Sequence, residues 1–86
     1  MFKSLKLYVG IQIDLEQLTS TLAEYNYKRQ ERVSEEGDFA RRGGIIDVFP
    51  YSFELPIRME LEKDSIVSMR SFFPATGSAA WEHQMV

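Results

Sequence analysis

The chain has 86 residues, 44% of them hydrophobic and 27% charged, with a formal charge of −3 and no cysteine. That length suits one globular domain, and the missing thiols exclude disulfides and thiolate metal sites. The acidic balance makes nucleic acid a poor default partner, because domains that grip a phosphate backbone usually carry a basic surplus.

In chain order, Leu5-Lys6-Leu7-Tyr8-Val9 alternates in polarity and meets a breaker at Gly10, which predicts a short strand. Asp14 with Gln17 three residues on is a capping-box variant, and Leu15, Leu18 and Leu22 recur at helical spacing. A helix over about residues 15–25 is predicted, closed near Asn26, which tolerates the left-handed conformation. Tyr27 to Val33 reads as a strand with polar sides, suited to a sheet edge. Ser34 to Asp38 reads as a turn, and Phe39 to Arg42 as a new extended run.

Gly43-Gly44 interrupts that run, which suggests a bulge or a close backbone approach. Ile45 to Phe49 is β-prone and is stopped by Pro50. Ile57, Met59 and Leu61 then alternate with Arg58, Glu60 and Glu62, the clearest half-buried strand in the chain. Lys63-Asp64 makes a tight turn into a strand from Ser65 to Phe73. The Ala-, Ser- and Gly-containing end reads as a tail, so a domain over 1–78 and a tail over 79–86 are expected. Strand, helix and then turn-linked strands predict an α+β fold: a mostly antiparallel β-sheet with one main helix packed on it.

Few residues offer chemistry. His83 is the only histidine and falls in the expected tail, so no nucleophile has a base beside it. The carboxylates are scattered and no metal-ligand spacing occurs, so neither a catalytic residue nor a metal nor a cofactor is expected. Arg41-Arg42-Gly43-Gly44 lacks the Lys-Ser/Thr ending of a phosphate loop and precedes a strand rather than a helix. Asp47 stands among Ile45, Ile46, Val48 and Phe49, so its carboxylate must face water or be paired; a structural hydrogen bond in the Pro50 turn is expected. Arg58, Glu60 and Glu62 share a strand face, which is either a solvated exterior or a charged recognition strip. The N-terminal stretch has no long apolar core, so neither signal peptide nor membrane span is expected, and a chain without cysteine suits the cytoplasm.

The run Gly37-Asp38-Phe39-Ala40-Arg41-Arg42-Gly43-Gly44-Ile45-Ile46-Asp47-Val48-Phe49-Pro50 closely resembles a signature of the UvrA-interaction domain of the transcription-repair coupling factor family. UvrB carries a related form but usually has Glu at the position of Gly44, so the double glycine favours the coupling-factor form. The resemblance continues through Leu55-Pro56-Ile57-Arg58-Met59-Glu60 and Asp64-Ser65-Ile66, and covers about residues 5–78. It implies a non-catalytic docking domain that binds UvrA and recruits it to DNA damage at stalled RNA polymerase. It also implies a parent protein that is an ATP-dependent DNA translocase.

The family's contact residues fall on Arg42 and Arg58, with Glu60 beside them, while Gly43, Gly44, Asp47 and Pro50 belong to the structural motif. Glu62 stands where the family often has Phe, so the recognition strip is expected to extend there with a second carboxylate in place of an aromatic ring. A guanidinium suits such a role because it bonds a carboxylate in bidentate fashion and is enriched at interface hot spots. The isolated domain is expected to be monomeric, and truncating Arg42 or Arg58 is expected to leave folding nearly unchanged. The competing reading is a nucleic-acid module built from Arg29, Arg32, Arg41 and Arg42 with nearby tyrosines.

Overall fold

The leucine spacing forms a helix as expected: in the computed structural model, which describes residues 7, 9–51 and 53–83, α1 runs Leu15–Glu24. Asp14 caps it by accepting from the Glu16 N–H at 3.0 Å, one residue earlier than a full capping box with Gln17 would use. Asn26 follows the last turn at φ 69°, the left-handed stop that an Asn tolerates. Leu15, Leu18 and Leu22 are buried, so the stripe read from the sequence is the face that packs.

The strands are β1 (Lys28–Arg29), β2 (Asp38–Arg42), β3 (Ile45–Val48), β4 (Ile57–Glu62), β5 (Ser65–Phe72) and β6 (Ala79–His83). They form one six-stranded sheet whose spatial order follows the chain. Every pairing is antiparallel except β1 with β2, which is parallel because the 30–37 segment carries the chain back between them. The α+β expectation therefore holds, with α1 on one face of the sheet.

Four local expectations change. The strand expected over 5–9 lies largely outside the described residues, and Val9 and Gly10 sit in a turn. The extended pairing comes just after it, where Gly10 N–H donates to the Ile66 carbonyl at 2.7 Å and Ile66 N–H to the Ile11 carbonyl at 3.0 Å. The strand expected over 27–33 shrinks to two residues, because from Glu31 the chain bends away to the opposite face. Gly43-Gly44 is not a bulge but the two-residue turn of the β2–β3 hairpin, with Arg42 opposite Ile45, and the close backbone approach expected there holds at Gly44.

The fourth change concerns the expected tail. Ala79–His83 is the outer strand β6, with Arg70 opposite Glu82 and Ser71 opposite Trp81. Its composition gave no apolar period, because an edge strand is held mainly by its backbone ladder.

Period-two alternation sorts side chains onto two faces. On the helix side lie Phe39, Ile46, Val48, Ile57 and Met59, packed with Leu7, Leu15, Leu18 and Leu22. Ile66 and Met69 join them although three positions apart, because Val67 is skipped in the pairing of β4 with β5. Arg41 reaches toward α1 and bonds Glu16 at 2.7 Å. That bond, then the Arg41 charge, lowers the Glu16 pKa below its ordinary value. The opposite face carries a smaller cluster of Val33, Ala40, Phe49 and Phe72.

Leu18 is completely buried between α1 and the sheet. Leu18→Ala should cost about 2–5 kcal/mol in chemical denaturation, a large share of a stability of roughly 0.05–0.15 kcal/mol per residue. Val67→Ala, at the exposed bulge, should stay within about 0.5 kcal/mol. Equal effects at the two positions would mean that the helix is not seated on the sheet as described.

Candidate functional site

The face that α1 does not cover holds most of the charged residues of the central strands, Arg41 being on the helix side. Across it, β2, β3, β4 and β5 place Ala40, Asp47, Arg58 and Arg70 in register. One step nearer the β2–β3 hairpin lies a second row of Arg42, Ile45, Glu60 and Ser68. Alternation alone brings these charged groups to one surface, since each is flanked in sequence by residues that face the helix.

Asp47 and Arg58 are directly opposite on β3 and β4. Arg58 Nε donates to Asp47 Oδ1 at 2.8 Å and Arg58 Nη2 to Oδ2 at 3.0 Å, a bidentate pair. This corrects the expected Asp47 bond in the Pro50 turn: the partner is a strand neighbour, reached across the ladder rather than along the chain. Pro50 accepts at its carbonyl from Phe53 N–H at 3.2 Å and takes no part in holding Asp47. The Asp47 bond raises the Arg58 pKa above its ordinary value, and the Asp47 and Glu60 charges add to it against partial burial. The guanidinium carbon also lies 4.7 Å from the centre of the Phe72 ring, so Arg58 is held on two sides.

Arg42 is exposed at the end of β2, immediately before the turn. Gly43 opens that turn at φ 56°, as the first central residue of a tight hairpin requires. At Gly44 a Cβ would lie 2.9 Å from the Leu61 carbonyl oxygen, and the Gly44 carbonyl accepts from Leu61 N–H at 2.8 Å. Glycine there lets the hairpin and β4 approach closely, which gives a physical reason for the double glycine.

Arg42, Asp47, Arg58 and Phe72 line a cleft of about 230 Å³ that also takes in Glu31, Arg32, Val33 and the 74–77 loop. The 31–36 segment is fixed by Asp38, which sequence reasoning placed in a plain turn. Asp38 is buried, and its Oδ2 accepts from Ser34 N–H at 3.0 Å, the Ser34 hydroxyl at 3.3 Å and Glu35 N–H at 3.2 Å. A buried carboxylate needs such donors, and the x-Asp at a turn end was the only signal the sequence offered.

The remaining site residues are spread along β4. Glu60 shares the face of Arg58 and comes 3.9 Å from Arg70, an exposed and weak pair. Glu62 is exposed at the end of β4 and does not line the cleft. The arginines of the competing nucleic-acid reading are divided, because Arg41 is bonded to Glu16 on the helix side while Arg32 and Arg42 line the cleft on the other.

One face is thus closed by a helix, and the other presents one anchored guanidinium, Arg58, beside the exposed Arg42. Residues 5–86 match the UvrB interaction domain family, and the chain belongs to that family. It is 46% identical over 66 residues to a protein of Bacillus subtilis (strain 168) named transcription-repair-coupling factor, covering 77% of this chain and 6% of that protein. It is 48% identical over 66 residues to the protein of the same name in Staphylococcus aureus (strain USA300), again 77% of this chain and 6% of the relative. The chain thus spans about 6% of the length of the curated relatives it matches.

Arg58 is therefore a fold residue as well as a candidate contact, and its truncation should not be neutral for stability. A double-mutant cycle of Asp47→Ala and Arg58→Ala, read by denaturant midpoint, should return a coupling of about 1 kcal/mol, reduced from a buried charged bond by partial exposure. A coupling near zero would show that the pair is not formed in solution.

Proposed function

We propose that this chain is the UvrA-docking domain of a transcription-repair coupling factor, and that it docks through the sheet face opposite α1. The observation that carries the reading is the shared cleft: Arg42 and Arg58, the positions that the family resemblance assigns to contact, line the same opening although sixteen positions apart in sequence. Family membership and the coupling-factor relatives support it. In this reading the domain acts by binding alone. Recruitment of UvrA to stalled RNA polymerase belongs to the parent protein, as do ATP hydrolysis and DNA translocation.

Physically, the arrangement suits recognition better than catalysis. Arg58 is oriented before any partner arrives, so little side-chain entropy is lost on binding. Arg42, exposed and without a side-chain partner among the described residues, stands at the hairpin tip, where a partner can reach it. Glu60 adds a carboxylate on the same face for a basic group on the partner, while Glu62 lies at the rim. The domain is monomeric in this reading, since the docking face is reserved for a different protein.

Calorimetric titration with purified UvrA from the same organism tests it. Arg42→Ala should weaken the complex by about 2 kcal/mol, roughly 30-fold in Kd, with an unchanged denaturation midpoint. The unmodified chain should neither hydrolyse ATP nor bind duplex DNA below micromolar concentration at physiological salt. No complex with UvrA, together with salt-sensitive binding to DNA, would replace this reading with the nucleic-acid one.

A further inference from the structure

The cleft has a chemistry more specific than a charged face. Its charged lining consists of the guanidiniums of Arg32, Arg42 and Arg58 and the carboxylates of Glu31 and Asp47. Asp47 is already bonded to Arg58 through both oxygens. That leaves three of the five Arg58 N–H groups for another acceptor. Among the described residues, neither the Arg32 nor the Arg42 side chain has a hydrogen bond or ion pair. Guanidinium donors not bonded within the domain therefore face one opening from β2, from β4 and from the 31–36 segment.

The size of the opening narrows the occupant. About 230 Å³ falls below the ~300–1,000 Å³ of small-molecule sites, so it admits one side chain rather than a folded segment. Phe72 and the 74–77 loop supply an apolar flank for the methylenes of such a side chain. Guanidinium forks match a carboxylate in geometry as well as in charge.

We infer that the cleft is a receptor for a single Asp or Glu side chain projected by the partner protein, and that Arg32 is a recognition residue in it. This rests on the docking reading above and adds to it. Arg32 belongs to neither the motif around Gly43-Gly44 nor β4. It reaches the cleft only because the chain leaves β1 after Arg29 and crosses to the other face, where Asp38 fixes the segment. Glu31 sits on the rim beside it with no partner among the described residues, and it opposes an entering carboxylate.

Asp47 is a positioning residue in this scheme. It also carries a negative charge beside the anion site, so its two effects have opposite signs. If it acted by charge alone, Asp47→Asn would strengthen binding. If it acts by holding the Arg58 fork, the same substitution weakens binding, because an amide offers one acceptor where the fork needs two.

The test is a set of affinities for purified UvrA, measured by calorimetry on the whole chain, with folding of each variant checked by denaturation. Arg32→Glu should weaken the complex at least tenfold, Glu31→Gln should tighten it about two- to threefold, and Asp47→Asn should weaken it about three- to tenfold. Lys28→Glu, an exposed charge reversal on β1 outside the cleft, should change it less than about twofold beyond the long-range field. If Arg42→Ala weakens binding while Arg32→Glu matches Lys28→Glu, the docking reading stands and the carboxylate receptor is wrong. Tighter binding by Arg32→Glu or weaker binding by Glu31→Gln would mean a cationic occupant, which also overturns it. If the unmodified chain forms no complex with UvrA, the docking reading fails, and the proposed occupant fails with it.

Discussion

A ten-residue helix is about 15 Å long, and a six-stranded sheet is about 24 Å across. One such helix can close one face of the sheet and no more. The other face must then be covered by loops or made polar, and this chain does both. At one end Val33 of the 31–36 segment packs with Ala40, Phe49 and Phe72, beside the cleft that the 74–77 loop borders. Beyond them the surface passes directly to Asp47, Arg58, Arg70 and Glu60, whose charges are paired in part with one another and otherwise face water or a partner.

That division explains why charged residues can sit between apolar neighbours without disturbing the core. Asp47 lies between Ile46 and Val48, and Arg58 between Ile57 and Met59, yet all four neighbours point to α1. The bond between Asp47 and Arg58 then spans two strands of the central sheet, so it orients an arginine on the same backbone that the core holds rigid. A side chain mounted on a central strand is placed more sharply than one on a loop. Arg42 and Arg32 reach the same cleft from a hairpin tip and a pinned loop, and are correspondingly freer.

Much of this was legible in the residues, for identifiable reasons. Leucine spacing and Asp14 gave α1 nearly to the residue, because capping and helical periodicity are local properties. The alternation of Ile57, Met59 and Leu61 gave β4 and its two faces, because period two is also local. The long motif from Gly37 to Pro50 gave the family. What escaped depended on partners distant in sequence. Asp47 was assigned to a nearby turn because its mate is eleven positions away on another strand. Ala79–His83 looked like a tail because an edge strand draws on the ladder of its neighbour, not on its own composition. Arg32 appeared only as one cation among several, since nothing local tells that the chain crosses to the open face after Arg29.

Backbone amide NMR during titration with unlabelled UvrA tests the central claim most directly, because it reports on both faces of the sheet at once. The account predicts that the signals perturbed first and most belong to Arg32, Arg42, Asp47, Arg58 and the 74–77 loop, with Leu15–Glu24 unmoved apart from general broadening. Perturbation concentrated on α1, with the cleft residues unchanged, would contradict it.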